Sequence, residues 1–113
     1  MSHKDEPFAS DAALPWEPAG EGVTRKVLTY RDEVMMVRVR FETGAIGAAH
    51  SHPHIQCSLV ESGVFKITIG GRSQRLVAGD SFLVPPDVVH GAVAVEAGTL
   101  VDVFTPMRAD FVA

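Results

Sequence analysis

Residues 44–63 have the sequence GAIGAAHSHPHIQCSLVESG, and residues 79–90 have the sequence GDSFLVPPDVVH. These two stretches carry the strongest signals of the sequence, because His50, His52 and the distant His90 lie in them among glycines and prolines. Alternate side chains of a strand point to the same face, so His50 and His52 can offer two imidazoles to one ion only if the chain is extended there. A third ligand must then come from a distant strand. The histidines therefore predict a metal site that is split between separate strands.

The rest of the chain predicts short strands and no helix. Val37, Val39 and Phe41 alternate with charged residues, which is the pattern of a half-buried strand. The same pattern predicts strands at 23–31, 34–43, 46–52, 55–61, 64–69, 73–78, 81–85, 88–95 and 99–105, with turns at Gly63, Gly70-Gly71, Gly79-Asp80, Pro85-Pro86 and Gly98. A closed or double-layered sheet protects the edges of such strands. We therefore predict an all-β sandwich or barrel.

Composition limits the size of the protein and its partners. A chain of 113 residues is the length of one domain. The net charge of −4 and the lack of a Lys and Arg cluster argue against a nucleic-acid partner. No apolar run is long enough for a signal sequence or a membrane span, and the single cysteine, Cys57, cannot form an internal disulfide. We expect a cytoplasmic protein that binds a small molecule and no membrane.

The N-terminal residues differ from the rest in composition. Residues 1–22 are rich in proline, alanine, glycine and acidic residues, which indicates a flexible arm with Trp16 as an anchor. Residues 23–113 then form the barrel domain. The arm and the exposed strand edges both need cover, so we expect a homodimer.

The two histidine stretches resemble the paired motifs of the cupin superfamily. The resemblance covers residues 44–90 and implies a single-domain double-stranded β-helix, or jelly-roll barrel. Gln56 stands where most cupins have glutamate, and Asp87 and Ala94 stand where the second motif usually has glycine and asparagine. A neutral amide leaves the charge of an ion uncompensated, so anionic substrates should bind more strongly. The expected ligands of one divalent ion per subunit (Zn²⁺, Ni²⁺, Mn²⁺ or Fe²⁺) are His50, His52, Gln56 and His90.

The end of the chain contains a carboxylate in an apolar setting. Residues 99–111, TLVDVFTPMRADF, place Asp102 on the same face of a strand as Leu100 and Phe104. A buried carboxylate is costly without a partner or a purpose. Asp102 is either paired with an arginine such as Arg108, or it is a proton donor or acceptor whose pKa its surroundings adjust. Arg108 could clamp a substrate carboxylate with two parallel hydrogen bonds.

HSHPHIQ at residues 50–56 and the pattern D-x-F-x-P-x-R-x-D-F at residues 102–111 resemble the KdgF family of pectin degradation cupins, from about Trp16 to the C-terminus. That family converts ring-form 4,5-unsaturated uronates, released from pectin or alginate, into linear 5-keto-4-deoxyuronate. The resemblance implies a metal-dependent linearising enzyme, isomerase- or hydratase-like, with a small anionic sugar as substrate. The implied catalytic group is Asp102, Phe104 and Arg108. Two alternatives stay open: an iron-dependent cupin dioxygenase of a small metabolite, and a non-catalytic sugar-binding or sensing cupin.

Overall fold

The fold consists almost entirely of antiparallel strands. The structure is a computed structural model that describes residues 2–113, so Met1, the first residue of the predicted arm, lies outside the described residues. Its strands are β1 Glu17–Gly20, β2 Val23–Arg31, β3 Val34–Phe41, β4 Ile46–His50, β5 Ile55–Ile69, β6 Arg72–Val77, β7 Ser81–Val84 and β8 His90–Thr105. Two 3-10 turns lie at Asp11–Ala13 and Ala109–Phe111. Residues 2–113 contain no helix that could span a membrane. The all-β prediction is confirmed.

Strands β5 and β8 form the centre of the sheet. The strand order is β1-β2-β3-β8-β5-β6, with β4 paired to β8 and β7 paired to β5. The second half of β8 pairs with β3 and the first half of β5, whereas its first half pairs with β4 and the second half of β5. Side chains from β2, β3, β4, β5, β7 and β8 line one shared interior cavity. The sheet therefore closes around an interior, as a barrel does.

Gly63 and Gly98 lie inside continuous strands. The sequence predicted a turn at each of them and two separate strands on either side, and that prediction is wrong. A Cβ on Gly63 would lie 2.6 Å from the carbonyl oxygen of Ala97, and a Cβ on Gly98 would collide with the carbonyl oxygen of Ser62. Only glycine lets the two backbones approach this closely. The two glycines thus allow β5 and β8 to remain paired through an irregular register.

The predicted hairpin turn at Gly70-Gly71 is confirmed. Gly70 has a φ of 56° and Gly71 a φ of 81°, and the pair joins β5 to β6. Both residues have the positive φ that tight two-residue hairpins require, and glycine adopts it without a steric penalty. This turn fixes the register of β6 against the second half of β5, from Ile69 opposite Arg72 to Val64 opposite Val77.

Two apolar clusters fill the barrel. The larger is centred on Phe41 and Phe65, whose rings meet edge to face with centroids 5.2 Å apart. The smaller contains Tyr30, Met35, Val37 and Phe104. Residues of both clusters border the interior cavity, so the cavity lies between them.

The N-terminal residues pack across β2 and β3. The Trp16 ring lies 4.3 Å from Nζ of Lys26 and 4.1 Å from the guanidinium carbon of Arg40. Lys26 is buried, and its Nζ donates a hydrogen bond of 2.9 Å to the carbonyl oxygen of Asp11. Strand β1, which lies within the predicted arm, pairs with β2. The boundary at residue 22 and the flexibility of the arm stay predictions.

Replacing Gly98 by alanine is expected to destabilise the fold, because the added methyl group would collide with the Ser62 carbonyl of β5. We expect the free energy of unfolding to fall by about 2 kcal/mol or more in urea denaturation. Gly47→Ala is the matched control, because its methyl group would meet the Phe41 ring at an ordinary 3.6 Å. If Gly98→Ala were as stable as the unsubstituted protein, the close approach of β5 and β8 would be contradicted.

Candidate metal centre and active site

The site residues predicted from the sequence lie in or beside one cavity of about 390 Å³. His52 is buried beside this cavity, and its ring contacts the rings of His90 and Phe104. The other predicted site residues line the cavity itself: His50, Gln56, His90, Asp102, Phe104 and Arg108. Residues that are up to 58 positions apart in the sequence therefore meet at one place.

The three imidazoles come from two strands and a loop. His50 ends β4, His90 begins β8, and the two residues are cross-strand partners. His52 lies in the loop after β4, so the prediction that His50 and His52 share one extended strand is wrong. The ring centroids of His50 and His52 lie 4.4 Å and 4.8 Å from that of His90. One nitrogen of each histidine lies within 4.8 Å of the others, close to the roughly 3 to 4 Å between two nitrogens bound to one ion.

Backbone carbonyls orient two of the imidazoles. Nδ1 of His50 lies 2.9 Å from the Ala48 carbonyl oxygen, and Nδ1 of His90 lies 2.9 Å from that of Val88. A carbonyl can only accept, so Nδ1 is the donor in each ring, and Nε2 of the neutral ring keeps a free lone pair. Nε2 of His90 is buried and has no hydrogen-bond partner within residues 2–113. A buried nitrogen in this state is costly unless a ligand uses its lone pair.

Burial favours the neutral form of two of these rings. Burial lowers the pKa of His52, and the positive charge of Arg108 lowers it further. Burial also lowers the pKa of His90. Neutral imidazole is the form that binds a metal ion, so both rings are ready to act as ligands at neutral pH.

A chain of hydrogen bonds connects the histidines to Asp102. Nε2 of His52 lies 3.0 Å from Oε1 of Gln56, and Nε2 of Gln56 donates to Oγ of Ser58 at 3.0 Å. Oγ of Ser58 in turn donates to Oδ1 of Asp102 at 2.6 Å. The pairing of β5 with β8 places Ser58 directly opposite Asp102. Ser58 was not among the residues predicted from the sequence, although its position two residues after Gln56 puts both side chains on one face of β5.

Asp102 is a buried carboxyl with no cation in contact. Its exposed fraction is 8%, and within residues 2–113 no arginine or lysine nitrogen lies within 4.0 Å of it. Arg108 instead donates two hydrogen bonds to Asp110, so the alternative of an ion pair between Asp102 and Arg108 is wrong. Burial raises the pKa of Asp102 to about 6, although the hydrogen bond from Ser58 and the more distant charge of Arg108 lower it. A carboxyl with this pKa can hold or release a proton near neutral pH.

Phe111 links two arginines to the aromatic wall of the cavity. Its ring meets that of Phe104 edge to face, with centroids 5.7 Å apart. The guanidinium carbon of Arg25 lies 3.7 Å from the centroid of Phe111, and that of Arg108 lies 4.3 Å from it. Arg25 and Phe111 both line the cavity, but neither was predicted from the sequence as a site residue. The available signal for Arg25 was a charge at an alternating, otherwise apolar position of β2.

His54 lies next to the histidine cluster but contacts the backbone. Its Nε2 is 3.1 Å from the Met107 carbonyl oxygen, and its ring meets that of His52 edge to face with centroids 5.3 Å apart. His54 thus ties the loop between β4 and β5 to the C-terminal segment. This histidine does not belong to the group whose nitrogens converge.

The donor set fits a divalent metal ion. Three imidazoles that converge on one point form a common ligand set for ions of this kind. Two ligands at right angles around one ion, each about 2.1 Å from it, are about 3.0 Å apart. Where Nε2 of His52 carries a proton, it donates that proton to Oε1 of Gln56 at 3.0 Å; an ion in place of the proton would have both atoms as ligands at a suitable separation.

Known proteins match this chain over most of its length. Residues 37–104 match the model of the Cupin domain family. The pectin degradation protein KdgF of Dickeya dadantii (strain 3937) is 43% identical over 103 residues, which cover 89% of this chain and 94% of that protein.

Solved structures of cupins also match this chain over most of its length. An RmlC-like cupin from Shewanella frigidimarina NCIMB 400 superposes with a TM-score of 0.93 and is 41% identical, covering 97% of this chain and 99% of that one. KdgF from Halomonas sp. superposes with a TM-score of 0.88 and is 35% identical, covering 92% and 96%. The predicted cupin fold is confirmed. The chain belongs to the cupin superfamily and, within it, to the family of the pectin degradation protein KdgF.

Proposed function

We propose that this protein is a metal-dependent enzyme that converts 4,5-unsaturated uronate monosaccharides, released from pectin or alginate, into linear 5-keto-4-deoxyuronate. The observation that carries the proposal is a single cavity in which a buried carboxyl with a raised pKa is joined to a cluster of histidines through Ser58 and Gln56. Similarity to two proteins named KdgF, one of them called a pectin degradation protein, supports the substrate class.

The proposed ligands of one divalent ion per chain are His50, His52, Gln56 and His90. Nδ1 of both His50 and His90 is held by a carbonyl, which supports coordination through Nε2 of each. When bound, the ion supplies a fixed positive charge that binds and orients oxygen atoms of an anionic sugar. Gln56 adds no negative charge to the ligand set, so the attraction for an anion stays strong.

Asp102 is the proposed proton donor. Ser58 donates to Oδ1 of Asp102, so Oδ2 is the oxygen that carries the proton in the neutral form. The substrate is an enol ether, and proton transfer from Oδ2 to C4 leaves positive charge on C5 and on the ring oxygen. The carboxylate that remains on Asp102 then stabilises this charge in a site of low polarity.

Ring opening completes the reaction. The C1 hydroxyl loses its proton to solvent, and the bond between C1 and the ring oxygen breaks with its electron pair on the ring oxygen. That oxygen becomes the ketone of C5, and C1 becomes an aldehyde. Asp102 then takes a proton back from solvent. C4 has gained one proton and the C1 hydroxyl has lost one, so the reaction is an isomerisation that consumes no water.

Phe104 and Arg108 shape the surroundings of this chemistry. Phe104 is almost fully buried, and its ring packs edge to face on His52, which keeps water away from one side of the cavity. Arg108 adds positive charge to the cavity wall, although its guanidinium is already bonded to Asp110. The positive charge suits an anionic sugar, and the exclusion of water strengthens the attraction between them.

Asp102→Asn is expected to remove most of the activity, because an amide cannot donate the required proton to carbon. With metal-loaded protein, the ultraviolet band of a 4,5-unsaturated monouronate should disappear roughly 10² to 10⁴ times more slowly than with the unsubstituted protein, after the spontaneous rate is subtracted. Asp80→Asn is the control. Its carboxylate accepts a hydrogen bond from the backbone N–H of Val77, and an amide oxygen can still accept it.

Two results would contradict the proposal in different ways. Full activity of Asp102→Asn would show that Asp102 is not the proton donor. If the unsubstituted protein opened the ring no faster than buffer alone, the proposed substrate class would be wrong. Oxygen uptake by Fe²⁺-loaded protein would then test the dioxygenase alternative. Binding of the sugar without turnover would instead favour the sensing alternative.

His90→Ala is expected to abolish tight metal binding, because it removes a buried imidazole whose Nε2 has no other partner in the described chain. Metal analysis after dialysis should find about one ion per chain in the unsubstituted protein and almost none in the variant. His54→Ala is the matched control, because its Nε2 faces the Met107 carbonyl oxygen. Equal metal content in His90→Ala and the unsubstituted protein would rule out the proposed ligand set.

Asp102→Asn is also expected to change how stability depends on pH in the metal-free protein. The pKa of Asp102 is about 6 in the folded state and about 4 in an unfolded chain, so the folded state binds its proton more tightly. The unsubstituted protein should therefore lose about 2 kcal/mol of unfolding free energy between pH 4 and pH 7 that Asp102→Asn does not lose. Urea denaturation with a chelator at both pH values measures this difference, and an equal pH dependence for both proteins would be inconsistent with a raised pKa.

The cytoplasmic location, the identity of the metal, the homodimer and the division between arm and barrel stay predictions.

The exposed apolar side chains on β5 and β7, Ile55, Leu59 and Leu83, are consistent with a partner surface on the outside of the barrel.

A further inference from the structure

Arg25 is a charged residue on the inner face of β2. It lies opposite Val39 on the neighbouring strand β3. Its neighbours at alternate positions, Val23 and Val27, contact the apolar clusters, and Arg25 lines the same cavity as Asp102. The strand therefore presents a guanidinium where its pattern calls for an apolar side chain.

The guanidinium of Arg25 has no carboxylate partner, although a charged group at such a position is usually paired. Nε of Arg25 is buried without a hydrogen-bond partner, and no carboxylate oxygen within residues 2–113 lies within 4.0 Å of its side chain. Burial lowers the pKa of Arg25, because the cavity wall removes water from the charge. Arg25 is half-buried, and a charge that is partly removed from water is unfavourable until an opposite charge reaches it.

Three other arginines of the chain are already paired with carboxylates. Arg31 contacts Glu33, and Arg38 contacts Asp11 and Glu61. Arg108, the second guanidinium of the cavity, is engaged by both of its hydrogen bonds to Asp110: Nε to Oδ1 at 3.2 Å and Nη2 to Oδ2 at 3.1 Å. The sequence allowed Arg108 to clamp a substrate carboxylate, but Nε and Nη2 of Arg108 are taken by Asp110.

Phe111 holds Arg25 in place without using its donors. The guanidinium carbon of Arg25 lies 3.7 Å from the ring centroid of Phe111. Stacking on a ring face fixes the plane of the guanidinium and leaves its N–H groups free at the edge. A planar fork fixed in this way is suited to two parallel hydrogen bonds with a carboxylate.

We propose that Arg25 binds the carboxylate of the sugar substrate and makes the cavity selective for uronates over neutral sugars. This inference rests on the proposed function for the identity of the sugar. The carboxylate bonds to the guanidinium of Arg25 against the Phe111 ring, and this places the sugar between β2 and the histidine side of the cavity. Arg108 and Asp110 support the same wall as a paired unit.

The test measures binding of galacturonate and of galactose to metal-loaded protein by NMR titration, which needs no turnover. The unsubstituted protein should bind galacturonate more tightly than galactose, and Arg25→Gln should weaken galacturonate binding roughly 10- to 100-fold while leaving galactose binding unchanged. Arg25→Lys keeps the charge but not the fork, so it should recover part of the loss. Arg75→Gln, an exposed arginine on β6, is the matched control and should bind both sugars normally.

Each outcome decides the inference. Equal binding of galacturonate by Arg25→Gln and the unsubstituted protein would overturn it, and so would an unsubstituted protein that does not prefer galacturonate to galactose. If Arg25→Gln fails to fold, as judged by circular dichroism, Arg25→Lys must show the partial loss. With active protein, Arg25→Gln should raise KM for the unsaturated monouronate more than it lowers kcat. If the protein preferred uronates in a way that depends on Arg25 but opened the ring no faster than buffer, the proposed function would be wrong and the role of Arg25 in binding would still hold.

Discussion

The register between β5 and β8 is the constraint on which the rest of the structure depends. These strands of 15 and 16 residues stay paired past the close approach of Gly63 and Gly98. Their register sets Ser58 opposite Asp102 and, at the far end, Ile69 opposite His90. A shift by one residue would turn every side chain of a strand to its other face. The same register that closes the barrel therefore assembles the histidine cluster and the buried carboxyl.

The cavity balances charges that would each be unfavourable alone. Burial pushes Asp102 towards its neutral form, while Ser58 and the distant charge of Arg108 favour its ionised form. The result is a pKa near neutrality, which suits a group that must both hold and release a proton. On β2, two strands away from Asp102 in the same sheet, the guanidinium of Arg25 lacks an anion in contact within the described residues. A site with this distribution of charge would stabilise an anionic ligand, and an ion held by neutral ligands would strengthen the effect.

The residues of the candidate site were largely predictable, because their types are unusual for the places they occupy. A carboxylate among apolar alternating residues and histidines at set spacing both stand out in the sequence, and the structure places Asp102 and the three histidines around one cavity. The strand boundaries at Gly63 and Gly98 were not predictable. Glycine has the same local freedom in a turn and at a close approach of two backbones, so only the presence of the other strand distinguishes them.

The all-β class and the inward or outward face of most strand residues follow from local alternation in the sequence. The chemical types of the proposed ligands follow from the side chains themselves. The tertiary structure alone decided which groups touch: Ser58 rather than Arg108 as the partner of Asp102, Asp110 as the partner of Arg108, and Arg25 as a cavity residue. These contacts join residues on different strands. Their geometry, and the burial that raises the pKa of Asp102, exist only once the strands pair in one register and water is excluded.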